Sequence, residues 1–176
     1  MTQDPLAAPS LRRRMACWFY ESFLLFALAL VSALVFSVAT QMRHALQYRE
    51  ALAAFVAVML GLYCAWCWSK GQTLPMKTWR IAIVDTNGRR VTLGRAWLRY
   101  LFCAMWVLPP LAVSQGGRFG RWELAIVFFG WVAAWALLSR LHPQRQFWHD
   151  AWAGTRLVDA PKHGVLAPTA SEKIAG

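Results

Sequence analysis

Charged residues are scarce in this chain of 176 residues. They make up 15% of it, whereas a typical soluble domain carries roughly 25%. Hydrophobic residues make up 58%, which is more than a soluble domain of this length can hide, because small domains leave a large part of their surface in water. The composition therefore argues against a soluble enzyme and indicates a membrane protein.

Acidic residues are the rarest charged type. The chain has 8 Asp and Glu against 19 Lys and Arg, for a formal net charge of +11. In a soluble chain this excess would suggest nucleic-acid binding, but no nucleic-acid-binding module is recognisable here. In an apolar chain, basic loops are attracted to anionic lipid head groups. We therefore expect the lipid bilayer as the partner, and no nucleic acid.

The apolar residues gather in four runs, which we interpret as transmembrane helices over residues 17–39, 51–68, 96–113 and 122–139. A helix of 18 residues is about 27 Å long, close to the roughly 30 Å of a bilayer's hydrocarbon core. Three arginines precede the first run, as in a signal peptide, but its apolar stretch is longer than a signal peptide usually has. The predicted fold is an all-α membrane protein with four transmembrane helices.

The distribution of positive charge predicts the orientation of these helices. On the side of the membrane that holds the two termini we count 15 Lys and Arg, and on the other side we count 4. Cytoplasmic loops carry the excess of Lys and Arg, so both termini are expected in the cytoplasm. The tails over residues 1–11 and 160–176 are rich in Pro, Ala, Ser and Thr, and we expect them to be disordered.

Small residues follow one face of the second run. Ala53, Ala57, Gly61 and Ala65 recur at every fourth position. Helices in a bilayer associate by close approach through such residues, so this face is predicted to contact another helix.

The segment between the second and third runs predicts a small cytoplasmic β-hairpin. Residues 80–85 and 89–91 flank an Asn-Gly pair, which is typical of a tight turn between strands. A two-stranded hairpin alone is marginally stable, so we expect residues 155–158 as a further strand. Ahead of it, Thr73 is placed to cap a short helix. Residues 147–153 predict a short C-terminal helix on the membrane surface.

Four short motifs together resemble the RDD family of small bacterial integral membrane proteins. The resemblance runs from about Arg12 to Asp159, so a membrane domain is expected over residues 12–159. The motifs are Gly71-Gln72-Thr73-Leu74-Pro75-Met76-Lys77, then Ile83-Val84-Asp85 with Gly88, then Leu98-Arg99, then Trp148-His149-Asp150 with Ala153-Gly154-Thr155.

The family takes its name from one Arg and two Asp residues. The resemblance places the Arg at Arg13, ahead of Ala16, and the second Asp at Asp150. The position of the first Asp holds Tyr20, and the adjoining Glu21 would substitute for it after a small rotation of the helix. The resemblance implies a multi-pass protein of the bacterial inner membrane, and ion transport or proton-coupled transport has been attributed to some members of the family.

Charged side chains inside apolar runs are the candidate functional residues, because burying a charge in a bilayer costs several kcal/mol. Glu21 lies in the first run and Arg99 in the third. We expect them to join Arg13 and Asp150 in a polar cluster. One interpretation is a vestibule open to the cytoplasm on an ion pathway, and the other is a structural ion-pair network. Supporting residues are expected to be Thr73, Lys77, Asp85, Arg95, His149 and Thr155.

Two functions follow from these observations. The first is a transporter or channel subunit for a small cation or proton, assembled as a homo-oligomer because four short helices enclose little volume. The second is a scaffold or accessory protein that binds a partner or lipid through its basic cytoplasmic loop. No catalytic or phosphate-binding motif is present, so we expect no enzyme activity and no cofactor. The four cysteines are expected to be packing residues rather than metal ligands or disulfides.

Overall fold

The computed structural model describes residues 8–41, 48–104, 109, 120–139 and 147–160. Parts of the predicted third span (105–108 and 110–113) and of the predicted disordered tails (1–7 and 161–176) lie outside the described residues. Within the described part, the elements in chain order are α1 (Leu11–Ala39), α2 (Arg49–Ser69), α3 (Leu74–Thr78), β1 (Ile81–Asp85), α4 (Leu93–Cys103), α5 (Arg121–Leu138), α6 (Trp148–Trp152) and β2 (Thr155–Asp159).

Two helical segments are long and apolar enough to cross a membrane. They are Leu11–Ala39 and Arg49–Thr78, and the second contains both α2 and α3. A third apolar helix, Trp122–Leu138 within α5, is shorter. The structure is thus mostly helical with two candidate membrane spans, while the predicted third and fourth spans stay predictions.

The buried face of α1 is polar. Its buried residues are Arg14, Cys17, Glu21 and Ser32, which recur at helical spacing on one side. On the opposite side, large apolar residues such as Phe19 and Phe23 are exposed. This pattern inverts that of a soluble helix and fits a helix whose outer face meets lipid.

Helices α2 and α4 pack closely where α2 carries a glycine. A Cβ atom added to Gly61 would lie 2.4 Å from Cζ3 of Trp97, so only glycine leaves room for this ring. One turn earlier in α2, the main-chain oxygen of Ala57 accepts a hydrogen bond from the hydroxyl of Tyr100, at 2.8 Å. The predicted contact face of small residues is confirmed at Gly61 and Ala65, which are buried, whereas Ala53 and Ala57 are exposed.

The β-sheet differs from the predicted hairpin. Strand β1 pairs antiparallel with β2, with Ile83 opposite Leu157 and Asp85 opposite Thr155. The predicted turn after β1 forms, but of the residues that follow it only Arg89 pairs with β1. The prediction of a full second strand is wrong because the chain leaves the turn almost at once to begin α4 at Leu93. The expected further strand is therefore the main partner of β1.

The turn after β1 is held by the side chain of Asp85. Its Oδ1 atom accepts hydrogen bonds from the backbone N–H groups of Asn87 and Arg89, each at 2.8 Å. The backbone N–H of Asp85 donates to the carbonyl oxygen of Arg89 at 2.8 Å. A carboxylate that accepts N–H groups further along its own chain is a common way of fixing a turn. Asp85 therefore has a structural role here.

The predicted cap at Thr73 is confirmed. Its side-chain oxygen accepts a hydrogen bond from the backbone N–H of Met76 at 3.4 Å, and Pro75 lies in the first turn of α3. Because Pro lacks an N–H group, it costs little at the start of a helix. The short helix α3 thus turns the chain from the end of α2 into β1.

Candidate functional site

A buried ion pair between α4 and α6 is the centre of the candidate site. Both Nε and Nη2 of Arg99 lie 2.7 Å from Oδ1 of Asp150. Arg99 is 4% exposed and Asp150 is 0% exposed. A charge-assisted pair of this kind is short and strong, and burial shields it from water and salt.

The backbone around Asp150 is fixed on both sides. Helix α6 begins after Phe147, and its last turn ends at Gly154, whose φ of +64° is a conformation that suits glycine. The hydroxyl of Thr155, at the start of β2, donates a hydrogen bond to the carbonyl oxygen of Asp150 at 3.1 Å. The pairing of β2 with β1 therefore also holds Asp150 in place.

The guanidinium group of Arg99 is also in contact with α2. Its central carbon lies 4.3 Å from the centre of the Trp68 ring. A cation over an aromatic face is attracted by the electrons of the ring, and more strongly when both are out of water. Arg99 thus links α2, α4 and α6 through a single side chain.

Glu21 brings α1 into the same site. It is 9% exposed, its carboxylate forms a hydrogen bond with the side chain of Thr73, and it interacts electrostatically with Arg99. The structure therefore brings together Glu21, Arg99 and Asp150, three of the four residues expected in the cluster.

The second cation of the site is Arg14. It is 4% exposed, interacts electrostatically with Asp150, and its guanidinium carbon lies 4.6 Å from the centre of the Phe147 ring. The Phe147 ring in turn stacks on His149, with centroids 5.5 Å apart. We call Arg14, Glu21, Thr73, Arg99, His149 and Asp150 the polar cluster.

Arg13, the residue expected in this role, lies elsewhere. Its Nη1 atom forms an ion pair with Asp159 at 2.7 Å, and its Nη2 atom donates to the carbonyl oxygens of Trp79 and Arg80. These contacts join α1 to the end of β2 and to the two residues that precede β1. Tyr20, which stands at the position of the family's first Asp, is 40% exposed and lies off the buried face.

Four of the expected supporting residues also lie outside the polar cluster. Thr155 borders it through its hydrogen bond to Asp150, whereas Lys77, Asp85 and Arg95 lie away from it. Arg95 faces Asp85 at 3.6 Å, with nearly half of the Arg95 side chain exposed. Lys77 is exposed on α3. The structure therefore separates Arg95 from Arg99, although both lie on α4, and divides the expected residues between a surface turn and a buried site.

Helical geometry is the signal that would have identified Arg14. Arg14 is seven residues before Glu21, which is about two full turns, whereas eight residues turn the side chain of Arg13 about 80° away. Trp68 and Phe147 carried no comparable signal. Their contacts with the two arginines arise from how the helices pack, which the sequence of one helix does not reveal.

Several buried polar atoms of the site lack a hydrogen-bond partner within the described part of the chain. They are Glu21 Oε1, Asp150 Oδ2, Arg99 Nη1, Arg14 Nε, Arg14 Nη1 and Trp68 Nε1. An unsatisfied buried group costs about 1–3 kcal/mol, and more when charged, so such atoms call for an explanation wherever they occur in a folded protein.

The site holds two arginines and two carboxylates, so its charges balance when both acids are ionised. Among the described residues, no group of three or more His, Cys, Asp or Glu side chains is placed to hold a metal ion. The four cysteines are free. A carboxylate of this site that gains or loses a proton would change the net charge of the site by one.

His149 adds a titratable group beside Asp150. Its Nε2 atom lies 3.2 Å from Oδ1 of Asp150. Burial, and to a smaller extent the charge of Arg99, lower the pKa of His149 from 6.5 to about 4, against the raising effect of Asp150. The imidazole is therefore neutral at neutral pH, and an unfolded chain would bind a proton there first.

Acidification from pH 7.5 to pH 4.5 is expected to lower the stability of the protein through His149. Because the folded pKa lies below the unfolded one, this contribution is complete above about pH 6.5 and is lost progressively as the pH falls toward 4. Melting temperatures in lipid nanodiscs across this range measure the loss. His149→Gln, which does not titrate, should show a shallower dependence on pH. Equal slopes for the two proteins would contradict the prediction.

Comparison with protein families identifies the chain. The RDD family model matches residues 8–154. This protein belongs to the RDD family. The match includes Arg14, Glu21, Arg99 and Asp150, so the polar cluster lies within the family domain. Comparison with curated proteins and with solved structures found no match for this RDD protein.

Proposed function

We propose that this RDD protein is a multi-pass protein of the bacterial inner membrane, with four spans and both termini in the cytoplasm, that moves a small cation or proton. The polar cluster is its ion pathway, and Glu21 is the residue that gains and loses the ion. The observation that carries the proposal is a buried carboxylate on a candidate membrane helix, with its Oε1 atom lacking a partner among the described residues.

The charge balance of the polar cluster supports this role. Ionisable groups within membrane helices are costly and are usually retained for function. With Arg14 and Arg99 both buried, neutralising Glu21 leaves one positive charge in excess, and ionising it restores neutrality. Loading and unloading of Glu21 are thus each coupled to the charge of the whole cluster. A homo-oligomer supports this function best, since one chain of this size encloses little volume.

Flux measurements test the proposal. The purified protein is reconstituted in sealed vesicles that enclose a pH-sensitive dye, and a gradient of Na⁺ or K⁺ is imposed. We expect a change of internal pH with the wild type and none with Glu21→Gln, because an amide does not ionise. Glu123→Gln is the matched control, because Glu123 is exposed at the start of α5 and its loss should leave the flux intact.

Two outcomes would contradict this function. One is the absence of flux from folded wild-type protein in vesicles of verified orientation. The other is a flux through Glu21→Gln equal to that of the wild type. Melting curves of both variants ensure that a lost flux is not caused by loss of the fold.

A second candidate, a scaffold that binds lipid or a partner, is favoured by the exposed basic surface near α3. Lys70 Nζ lies 5.3 Å from the ring of Trp66, which is 65% exposed, and Lys77 and Arg80 are exposed beside it. Aromatic rings and basic side chains of this kind are typical of the boundary between membrane and water. Folded protein without any flux would favour this candidate over the first.

A further inference from the structure

The buried atoms of the site that lack a hydrogen-bond partner among the described residues are of two opposite kinds. Four are N–H groups that donate hydrogen bonds, at Arg14 Nε, Arg14 Nη1, Arg99 Nη1 and Trp68 Nε1. Two are carboxylate oxygens that accept them, at Glu21 Oε1 and Asp150 Oδ2. Any species that satisfies the whole set must therefore both donate and accept hydrogen bonds.

This requirement separates the candidate ligands by chemistry. A bare metal cation is attracted to the carboxylates but has nothing to offer an N–H group, and the two arginines repel it. An anion satisfies the arginines but is repelled by Glu21 and Asp150. Water does both, and buried waters typically make about three hydrogen bonds to otherwise unsatisfied polar groups.

The residues that carry the unsatisfied atoms interact with one another in pairs. Arg14 interacts electrostatically with Asp150, and Asp150 is hydrogen-bonded to Arg99. Arg99 lies against Trp68 and interacts electrostatically with Glu21. Arg99 thus interacts with both residues that carry an unsatisfied carboxylate oxygen, Asp150 and Glu21.

We propose that the polar cluster encloses a chain of buried water molecules that runs from Arg14 and Asp150 past Arg99 to Glu21, and that the ion passed along this chain is the proton. The identification of the ion as a proton rests on the proposed transport function. A proton leaving Oε1 of Glu21 binds the nearest water, which releases one of its own protons to the next. One proton thus reaches Asp150 for each that Glu21 loses, and no water is consumed.

X-ray radiolytic footprinting of the protein in nanodiscs tests for the waters directly. Radiolysis converts a bound water into a hydroxyl radical, which oxidises the side chain next to it. We expect Trp68, which is 5% exposed, to be oxidised several-fold faster than Trp97. The latter is the matched control, since it is less buried but packs on Gly61 away from the polar cluster.

A variant then assigns the oxidation to the polar cluster. Arg14→Met keeps an unbranched side chain but removes the donors, so oxidation of Trp68 and Phe147 should fall several-fold while that of Trp97 stays unchanged. Oxidation of wild-type Trp68 no faster than that of Trp97 would overturn the water chain, and this measurement depends on no variant.

Footprinting and flux measurements can overturn the water chain and the transport function independently of each other. Fast oxidation of Trp68 without any flux supports the waters and contradicts the transport function. Flux with slow oxidation of Trp68 supports transport and overturns the water chain. A Na⁺ or K⁺ flux with no accompanying change in internal pH overturns the assignment of the proton as the ion.

Discussion

Asp150→Asn is expected to destabilise the protein by about 3–5 kcal/mol, because removing one partner of a buried ion pair leaves an uncompensated charge. Arg99 would keep its positive charge at 4% exposure, without the ionised carboxylate that lies 2.7 Å from it in the wild type. The loss is measured as a lower melting temperature in nanodiscs or as a shifted midpoint of unfolding in denaturing detergent.

Asp159→Asn is the matched control for this experiment. Asp159 also forms an ion pair at 2.7 Å, with Arg13, but its side chain is 56% exposed. Exposed pairs contribute about 0–1 kcal/mol, so this variant should melt close to the wild type.

A double variant separates the charge from the packing. Arg99→Met with Asp150→Leu replaces the pair by apolar side chains, and such replacements are often neutral or stabilising. It should recover much of the stability lost in Asp150→Asn. If Asp150→Asn has the same melting temperature as the wild type, the ion pair does not hold α4 to α6.

Gly61→Ala is expected to destabilise the protein by about 1–3 kcal/mol, the usual cost of overfilling a packed contact. The new Cβ would lie 2.4 Å from Cζ3 and 2.7 Å from Cη2 of Trp97, so α2 and α4 would have to move apart or the ring would have to turn. Gly61→Val should cost more because it adds two methyl groups at the same place. Unfolding of the purified variants measures both.

Gly130→Ala provides the control, since a Cβ atom there meets nothing within 4 Å and alanine is the better helix former. Combining Gly61→Ala with Trp97→Leu removes the ring that the methyl group meets and should restore part of the lost stability. A Gly61→Ala variant as stable as Gly130→Ala would show that α2 and Trp97 accommodate the methyl group without a loss of stability, contrary to the prediction.

Physical reasoning on single residues predicted the centre of the site but not its outline. Glu21 and Arg99 are predicted because charges in apolar segments need partners, Asp150 is predicted from the family resemblance, and the structure brings these three together. Arg13 was chosen over Arg14 from the spacing of a motif, whereas the angle around α1 decides which arginine faces the interior. Contacts between helices, such as that of Arg99 with Trp68, depend on packing that no single segment encodes.

The sheet shows the same limit for strands. The sequence after β1 predicts a turn, and the turn forms through Asp85. A turn signal does not say how far the returning chain stays extended, and here the N-terminus of α4 takes over within a few residues. The longer pairing, of β1 with β2, joins segments on either side of α4 and α5. Strand β2 is the further strand that the marginal stability of an isolated hairpin predicts.

The ion pair of Arg13 with Asp159 constrains how often the chain passes through the bilayer. These residues are 146 positions apart, and bonded side chains cannot have a membrane between them. The number of passages from residue 13 to residue 159 is therefore even. Because β1 pairs with β2, the number of passages from residue 85 to residue 155 is also even. We therefore expect the predicted third and fourth spans either both to cross the bilayer or both to stay on one side of it.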